Sequence, residues 1–407
     1  MTRGRRVVVT GVGAVSGFGA GAEALWRGLL AGKRALGAFH RFDATGHRTR
    51  LASEVPAPLG TPHLEPPDPQ RLSLADRFAL TAAYEALAQA GLEGPLPEAG
   101  VLFGSSTGAM YEAERFWARL TGHEPGTPRM GWIVSQEYNG PGDAVARTIG
   151  ARGPVETVSS ACTSGALSVL AAHDALRDQE LDVALAGGSD SLCQLTYAGF
   201  NALRAVDPEP CRPFRPDRLG LNLGEGAAVL VLETLERARE RGATPLAELL
   251  AGASTCDAYH MTAPSPEGSG AAAAIRRALA EAELGADAVS FVNAHGTGTP
   301  LNDAAEWQAL ASVFGDRAPR LPVTAPKSSV GHLLGAAGSL EAVDTVLCLH
   351  HRRVHPTAGG GAADPASPVC LVLDAPLDLA PGAVGLSLNL AFGGSNAALL
   401  FRGWEAA

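Results

Sequence analysis

The chain has 407 residues, 46% hydrophobic and 18% charged, and this is enough apolar side chain to exclude a disordered protein. Its 49 glycines and 28 prolines follow no period, which excludes a collagen-like chain, and a formal charge of −10 argues against a nucleic-acid binder. Six cysteines are too few for a disulfide framework and lack the spacing of a metal site, so reduced thiols in a cytoplasm, with no bound metal, are expected.

Arg3, Arg5 and Arg6 ahead of Val7–Val9 imitate a leader, but the apolar run is too short for one and reads as a buried first strand. No stretch is long and apolar enough to predict a membrane span. Apolar runs at 6–11, 100–105, 154–159 and 182–187 read as buried strands. Between them, 21–31, 73–91, 112–120 and 162–177 carry helical spacing. The strand 227–234 and the helix 235–242 follow. The pattern then restarts with a strand at 245–254, a helix at 270–283, a strand at 288–296 and a helix at 303–314. A strand at 322–327, a helix at 333–349 and strands at 370–375, 383–390 and 397–403 complete it. This alternation predicts α/β layers around a mainly parallel sheet, in two similar halves, 1–242 and 243–407. The proline-rich stretches 53–70 and 355–368 read as surface loops.

Two motifs are weak. The turn Thr10–Ser16 resembles a dinucleotide fingerprint, but Ser16 stands where the third glycine belongs. Gly104-Ser105-Ser106-Thr107-Gly108 matches a hydrolase nucleophile elbow, with Ser106 as the candidate nucleophile.

The stronger signal is Ser159-Ser160-Ala161-Cys162-Thr163-Ser164-Gly165, where a strand ends and a helix is predicted to begin at the cysteine. A thiol in a first helical turn meets the positive end of the helix dipole and unpaired N–H groups, which favour thiolate and hold an oxyanion. In the second half, Ala294-His295-Gly296-Thr297-Gly298-Thr299 and Lys327-Ser328-Ser329-Val330-Gly331-His332 each place a histidine in a glycine-rich turn. Alone, either histidine fits a structural role. Together with the thiol they fit a nucleophilic site. Lys327 is one of only two lysines, the other being Lys33, in a chain whose basic residues are otherwise arginine.

With SSACTSG (159–165), NAHGTGTPLND (293–303), PKSSVGHLLGAAG (326–338) and NLAFGGSNAAL (389–399) in this order, the chain resembles the β-ketoacyl-acyl-carrier-protein synthases over nearly its whole length. SVGHLLGAAG resembles their free-standing elongating type. The resemblance implies a thiolase-like five-layered αβαβα sandwich built from two similar halves, the first carrying the nucleophilic cysteine and the second the two histidines. It implies an acyl chain carried as a thioester on Cys162, with His295 and His332 assisting decarboxylation of malonyl-carrier protein. Lys327 matches the family's lysine, with Glu306 expected as its ion-pair partner. Phe392 matches the gating phenylalanine whose N–H completes the oxyanion hole. Thr297 and Thr299 match the threonines that hold the phosphopantetheine arm. The family places the acyl-tunnel floor at Thr107, Gly108 and Met110, and His260 and Thr262 match a segment near the channel.

No cofactor bound by the protein itself is implied, since substrates ride on the carrier protein's phosphopantetheine arm. Implied partners are the acyl-carrier protein and a second copy or a related ketosynthase-like subunit. The chain departs from elongating members at Leu390-Ala391, where a Phe-Gly usually precedes the gating phenylalanine, and at 70–77, which is poor in basic residues. Arg204, Arg212, Arg215 and Arg218 are therefore the expected carrier-protein dock. Competing readings are a non-catalytic chain-length subunit, which Cys162 opposes, a thiolase, which wants a second cysteine near the last glycine loop, and a serine hydrolase acting through Ser106.

Overall fold

The computed structural model describes residues 4–57, 59, 71–134 and 136–405. Eleven strands of the large sheet are numbered in chain order. β1 (Val7–Ser16), β2 (Gly100–Gly104), β3 (Val155–Val158), β4 (Val183–Asp190) and β5 (Gly226–Thr234) belong to the first half. β6 (Ala247–Cys256), β7 (Val289–Asn293), β8 (Pro322–Thr324), β9 (Cys370–Leu371), β10 (Val384–Leu390) and β11 (Ser395–Gly403) belong to the second. Across the sheet the order is β9-β8-β7-β10-β11-β6-β1-β5-β4-β2-β3. Read outward from the centre, each half runs first, fifth, fourth, second, third strand, with β9 added outside the second half. The halves join where β1 pairs antiparallel with β6, Val7 opposite Leu249 and Val9 opposite Ala247.

The sheet is mixed rather than mainly parallel. β2 with β3 and β4, and β7 with β8 and β10, are parallel. The block β10-β11-β6-β1-β5-β4 is antiparallel throughout. Helices cover both faces, so these antiparallel strands are mostly buried and largely apolar and lose much of the alternation that would have marked them.

Six helices make the other layers: α1 (Leu74–Ala90), α2 (Gly140–Ile149), α3 (Ser164–Arg177), α4 (Ser269–Glu281), α5 (Pro300–Phe314) and α6 (Ala337–His350). α1 and α2 pack on the outer face of the first half-sheet, α4 on that of the second with α5 against it, and α3 and α6 fill the centre. This is the five-layered αβαβα arrangement of the thiolase-like fold. A Cβ added at Gly165 of α3 would lie 2.7 Å from the Ser339 nitrogen, and one at Gly338 of α6 2.6 Å from that of Ala166. The two central helices thus meet backbone to backbone. α1 starts on a capping box, the Ser73 hydroxyl accepting from the Asp76 N–H and Asp76 from the Ser73 N–H. The stretch 60–70 lies outside the described residues.

Candidate active site

Cys162 stands two residues ahead of α3, not in its first turn: the helix begins at Ser164 and is capped by Thr163. Ala161 before it is left-handed, with φ 47°, a conformation costing a non-glycine residue about 1–2 kcal/mol. Two hydroxyls hold this turn. Ser106 Oγ donates to the Ala161 carbonyl at 2.9 Å and Ser164 Oγ to the same carbonyl at 2.6 Å. Ser106 is thus a prop for the cysteine turn, its hydrogen bond made to backbone rather than to an imidazole.

The thiol is 7% exposed, and burial pushes it up to about 11, against the opposing effects of the Lys327 charge and the Phe392 N–H. The expectation of a resting thiolate is corrected on this point, because desolvation outweighs the charges aimed at the sulfur. Phe392 opens the short turn between β10 and β11, and its ring stacks on Phe200 with centroids 5.6 Å apart. Thr163 Oγ1 donates to Ser395 Oγ at 2.9 Å, tying the cysteine turn to the end of the Phe392 turn.

His295 follows β7 and His332 precedes α6, and their rings meet edge to face with centroids 5.5 Å apart. Nδ1 of His295 accepts from Lys327 Nζ at 3.1 Å, and Nδ1 of His332 from the Leu334 N–H at 3.0 Å. With both Nδ1 atoms occupied by donors, the proton of each neutral ring sits on Nε2. Burial and the nearby Lys327 charge hold both rings well below the usual histidine range, so neither is cationic at neutral pH.

Glu306 is not the partner of Lys327. Its carboxylate accepts from the backbone N–H of His295 at 2.7 Å and of Gly296 at 2.8 Å, and so clamps the histidine turn onto α5. Burial pushes Glu306 up to about 8. The ammonium of Lys327 instead donates to Glu341 of α6, whose other oxygen accepts from Asn389 of β10. Burial pushes Glu341 up to about 7 against the Lys327 charge. The sequence reading missed Glu341, although a carboxylate within the apolar run Leu340–Leu349 demands a buried partner.

Cys162, His295, His332, Thr297, Thr299 and Phe392 share the wall of one cavity of about 280 Å³, together with Thr262 and Arg204. The hydroxyls of Thr297 and Thr299 lie 2.9 Å apart. His260 is exposed and off this wall, its Nδ1 accepting from the N–H of Thr262 and Ala263 at 3.1 and 3.2 Å. Thr107, Gly108 and Met110 are also off the wall. Thr107 Oγ1 donates to the buried Asp190 at 2.9 Å, and Gly108 packs under the carbonyls of Gln136 and Glu137. Asp190 collects the Ser105 hydroxyl and the N–H groups of Ser106, Thr107 and Gly335 as well, and so holds this loop against the Gly335 turn.

The expected arginine dock is corrected in two of its four members, Arg215 and Arg218, which are buried. Arg215 is 3% exposed and donates to the Gly360 carbonyl at 2.7 Å. Arg218 is 8% exposed and pairs with Asp364 at 2.6 Å. Arg212 pairs with Asp217 at 2.5 Å and with Asp207 at 3.5 Å. Arg204 alone is exposed at the cavity mouth. Density of arginine in a sequence does not reveal which guanidiniums the fold turns inward.

The family models for Beta-ketoacyl synthase match residues 4–238 with the N-terminal domain and 246–360 with the C-terminal domain. A relative from Synechocystis sp., "3-oxoacyl-[acyl-carrier-protein] synthase 2", is 35% identical over 98% of this chain and 99% of its own. Among solved structures, the ishigamide ketosynthase/chain length factor is similar at a TM-score of 0.91 and 33% identity, covering 99% of this chain and 100% of that one. A type II polyketide ketosynthase, solved with its acyl-carrier protein and bound to a hexaketide, is similar at a TM-score of 0.89 and 28% identity, covering 98% and 100%.

Proposed function

Since the chain belongs to the β-ketoacyl synthase family, we propose that it elongates a fatty-acid, polyene or polyketide chain by decarboxylative condensation of malonyl-carrier protein with an acyl group held on Cys162. The observation that carries this reading is the pair of Nε2–H donors on His295 and His332 in the cavity that holds the thiol.

In the first half-reaction the Cys162 sulfur attacks the thioester of the acyl-carrier protein. The N–H groups of Cys162 and Phe392 receive the oxyanion. The pantetheine C–S bond breaks, and the thiol proton of Cys162 passes to the departing sulfur. The second pantetheine arm enters past Thr297 and Thr299. Its malonyl thioester carbonyl accepts from Nε2–H of both histidines, so the bond to the carboxylate breaks, carbon dioxide leaves and the electron pair becomes an enolate. Neutral imidazoles suit this step because they stabilise the enolate oxygen without protonating its carbon. The enolate carbon attacks the Cys162 thioester, the C–S bond to Cys162 breaks, and the released thiolate takes up a proton.

The protein holds no cofactor of its own in this reading, and the carrier protein delivers both substrates. The assembly is a homodimer or a pair with a related ketosynthase-like subunit, supported by the chain-length-factor complex among its structural relatives. The division into halves at 242 and 243 is supported by the repeated strand order. A cytoplasmic setting is supported by six free cysteines. Among the described residues no helix is long and apolar enough to cross a membrane. Incubation with malonyl-carrier protein tests the reading. His295→Ala and His332→Ala should each lower carbon dioxide release by about 10²–10³-fold, the usual cost of one lost oxyanion donor. Undiminished release in both would sink it.

A further inference from the structure

A second cavity, of about 400 Å³, shares no lining residue with the active-site cavity. It lies between the start of α1, the helix Met110–Leu120 and the short helix Met130–Val134, and is lined by Arg41, Arg77, Arg115 and Arg129 around Tyr111 and Trp132. The guanidiniums of Arg115, Arg119 and Arg129 surround the Trp132 ring at 5.3, 4.8 and 5.8 Å, and that of Arg115 also covers Tyr111 at 5.7 Å.

Among the described residues the ion pairs do not reach all of these guanidiniums. Arg41 is taken by Glu225 and Glu54, while Arg115 and Arg119 share the single carboxylate of Glu124. Arg77 and Arg129 have no carboxylate partner among the described residues. Like charges held this close repel, and the repulsion is relieved by an anion rather than by water alone. In a chain of net charge −10 the concentration is opposite to the average.

A second observation points the same way. Glu112 lines this cavity at 8% exposure, its Oε1 accepts from the Leu74 N–H at 2.8 Å, and its Oε2 is buried with no hydrogen-bond partner. Burial pushes the Glu112 carboxyl up to about 7, so near neutral pH it adds less than a full negative charge to offset the arginines.

We infer that this cavity is a binding site for a phosphoryl dianion, taken as free phosphate or diphosphate or as the phosphate of a small ester, with Arg77, Arg115 and Arg129 as its ligands and Glu112 at its inner wall. A phosphoryl group supplies enough acceptor oxygens for three guanidinium forks, which a carboxylate does not. The stacking on Trp132 and Tyr111 holds Arg115 and Arg129 in place before the ligand arrives. The volume exceeds what a single phosphate fills and reaches the range of small-molecule sites.

The test is calorimetric titration of the full chain with inorganic phosphate, pyrophosphate and ADP, each repeated on Arg129→Gln and Arg77→Gln. Both arginines are exposed, so these variants should fold, and their unliganded melting temperatures check that. Saturable binding that weakens tenfold or more in each variant supports the site. Tighter binding of ADP than of pyrophosphate identifies a phosphate ester as the ligand, and the reverse order identifies the inorganic anion. No saturable binding at millimolar concentration, or binding indifferent to both substitutions, overturns the inference. So does a pair of variants that lose affinity for carrier protein while none of the three anions binds the parent.

Discussion

Nδ1 of His295 and the ammonium of Lys327 lie 3.1 Å apart, and this contact decides which way the imidazole presents its proton. Without the ammonium, the ring proton is free to move to Nδ1, leaving an acceptor toward the substrate carbonyl. Lys327→Met should therefore slow carbon dioxide release while still allowing Cys162 to be acylated by a small pantetheine thioester. The loss should be smaller than in His295→Ala, since part of the population keeps the useful tautomer. Release at the parental rate would show that the lysine does not set the tautomer.

Glu341 and Glu306 should separate cleanly. Glu341→Gln leaves the Lys327 ammonium buried and unpaired, which typically costs about 3–5 kcal/mol. Glu306→Gln leaves the ion pair intact and puts an amide donor against two backbone N–H groups, a cost of about 1–3 kcal/mol. Urea unfolding of both variants measures the difference. A larger loss for Glu306→Gln would restore it as the main support of the lysine.

The thiol of Cys162, pushed up to about 11, titrates far above neutrality. The thiolate fraction therefore rises about tenfold per pH unit from pH 6 to 9, and alkylation by iodoacetamide should accelerate without a plateau in that range. Lys327→Met removes a charge that favours the thiolate and should slow alkylation at every pH. A plateau near pH 7 would contradict this. Cys162→Ala should abolish condensation and leave malonyl decarboxylation measurable, because the donors on His295 and His332 do not depend on the sulfur.

At the cavity mouth, Arg204→Glu should raise the KM for carrier-bound substrate and leave turnover of a small pantetheine thioester unchanged. The defect should shrink with salt, since exposed charges are screened over about 8–10 Å at physiological ionic strength. Arg215→Glu should instead lower the melting temperature and harm both substrates alike, because it buries an anion. Equal KM effects from the two variants would return Arg215 to the docking surface.

His355 gives a stability prediction. Burial lowers its pKa, but the Asp344 carboxylate, 2.8 Å from Nε2, outweighs burial and the net shift is upward. A raised folded-state value means the pair stabilises fully below the unfolded pKa of about 6.5 and loses that stability as pH rises through the folded value. His355→Gln should therefore cost most stability near pH 6 and progressively less toward pH 9. A penalty that grows with pH would show that His355 is neutral in the fold.

Much of this was legible from the residues. The strands read from apolar runs are strands, and Cys162, His295 and His332 share one cavity as their turns suggested. Strand direction was not legible, because burial on both faces removes the alternation that separates antiparallel from parallel runs. Nor was the partner of Lys327: Glu306 is near in sequence to His295, whereas Glu341 reaches the lysine through the packing of α6. The arginines at 212, 215 and 218 looked like a surface because charge is normally outside. Here Asp303 and Asp364 draw in Arg218, Arg215 is buried against the Gly360 carbonyl, and Asp207 and Asp217 hold Arg212 half-buried.

Cys162 belongs to one copy of the repeated strand order, and His295, Lys327 and His332 to the other. The proposed catalytic centre is therefore a seam, and turnover reports on whether the seam is closed. Loosening of β1 from β6, or of α3 from α6, would part the sulfur from the imidazoles while leaving each set of turns intact. Heat or denaturant should silence the enzyme at the point where the copies separate, ahead of any loss of helix within either one.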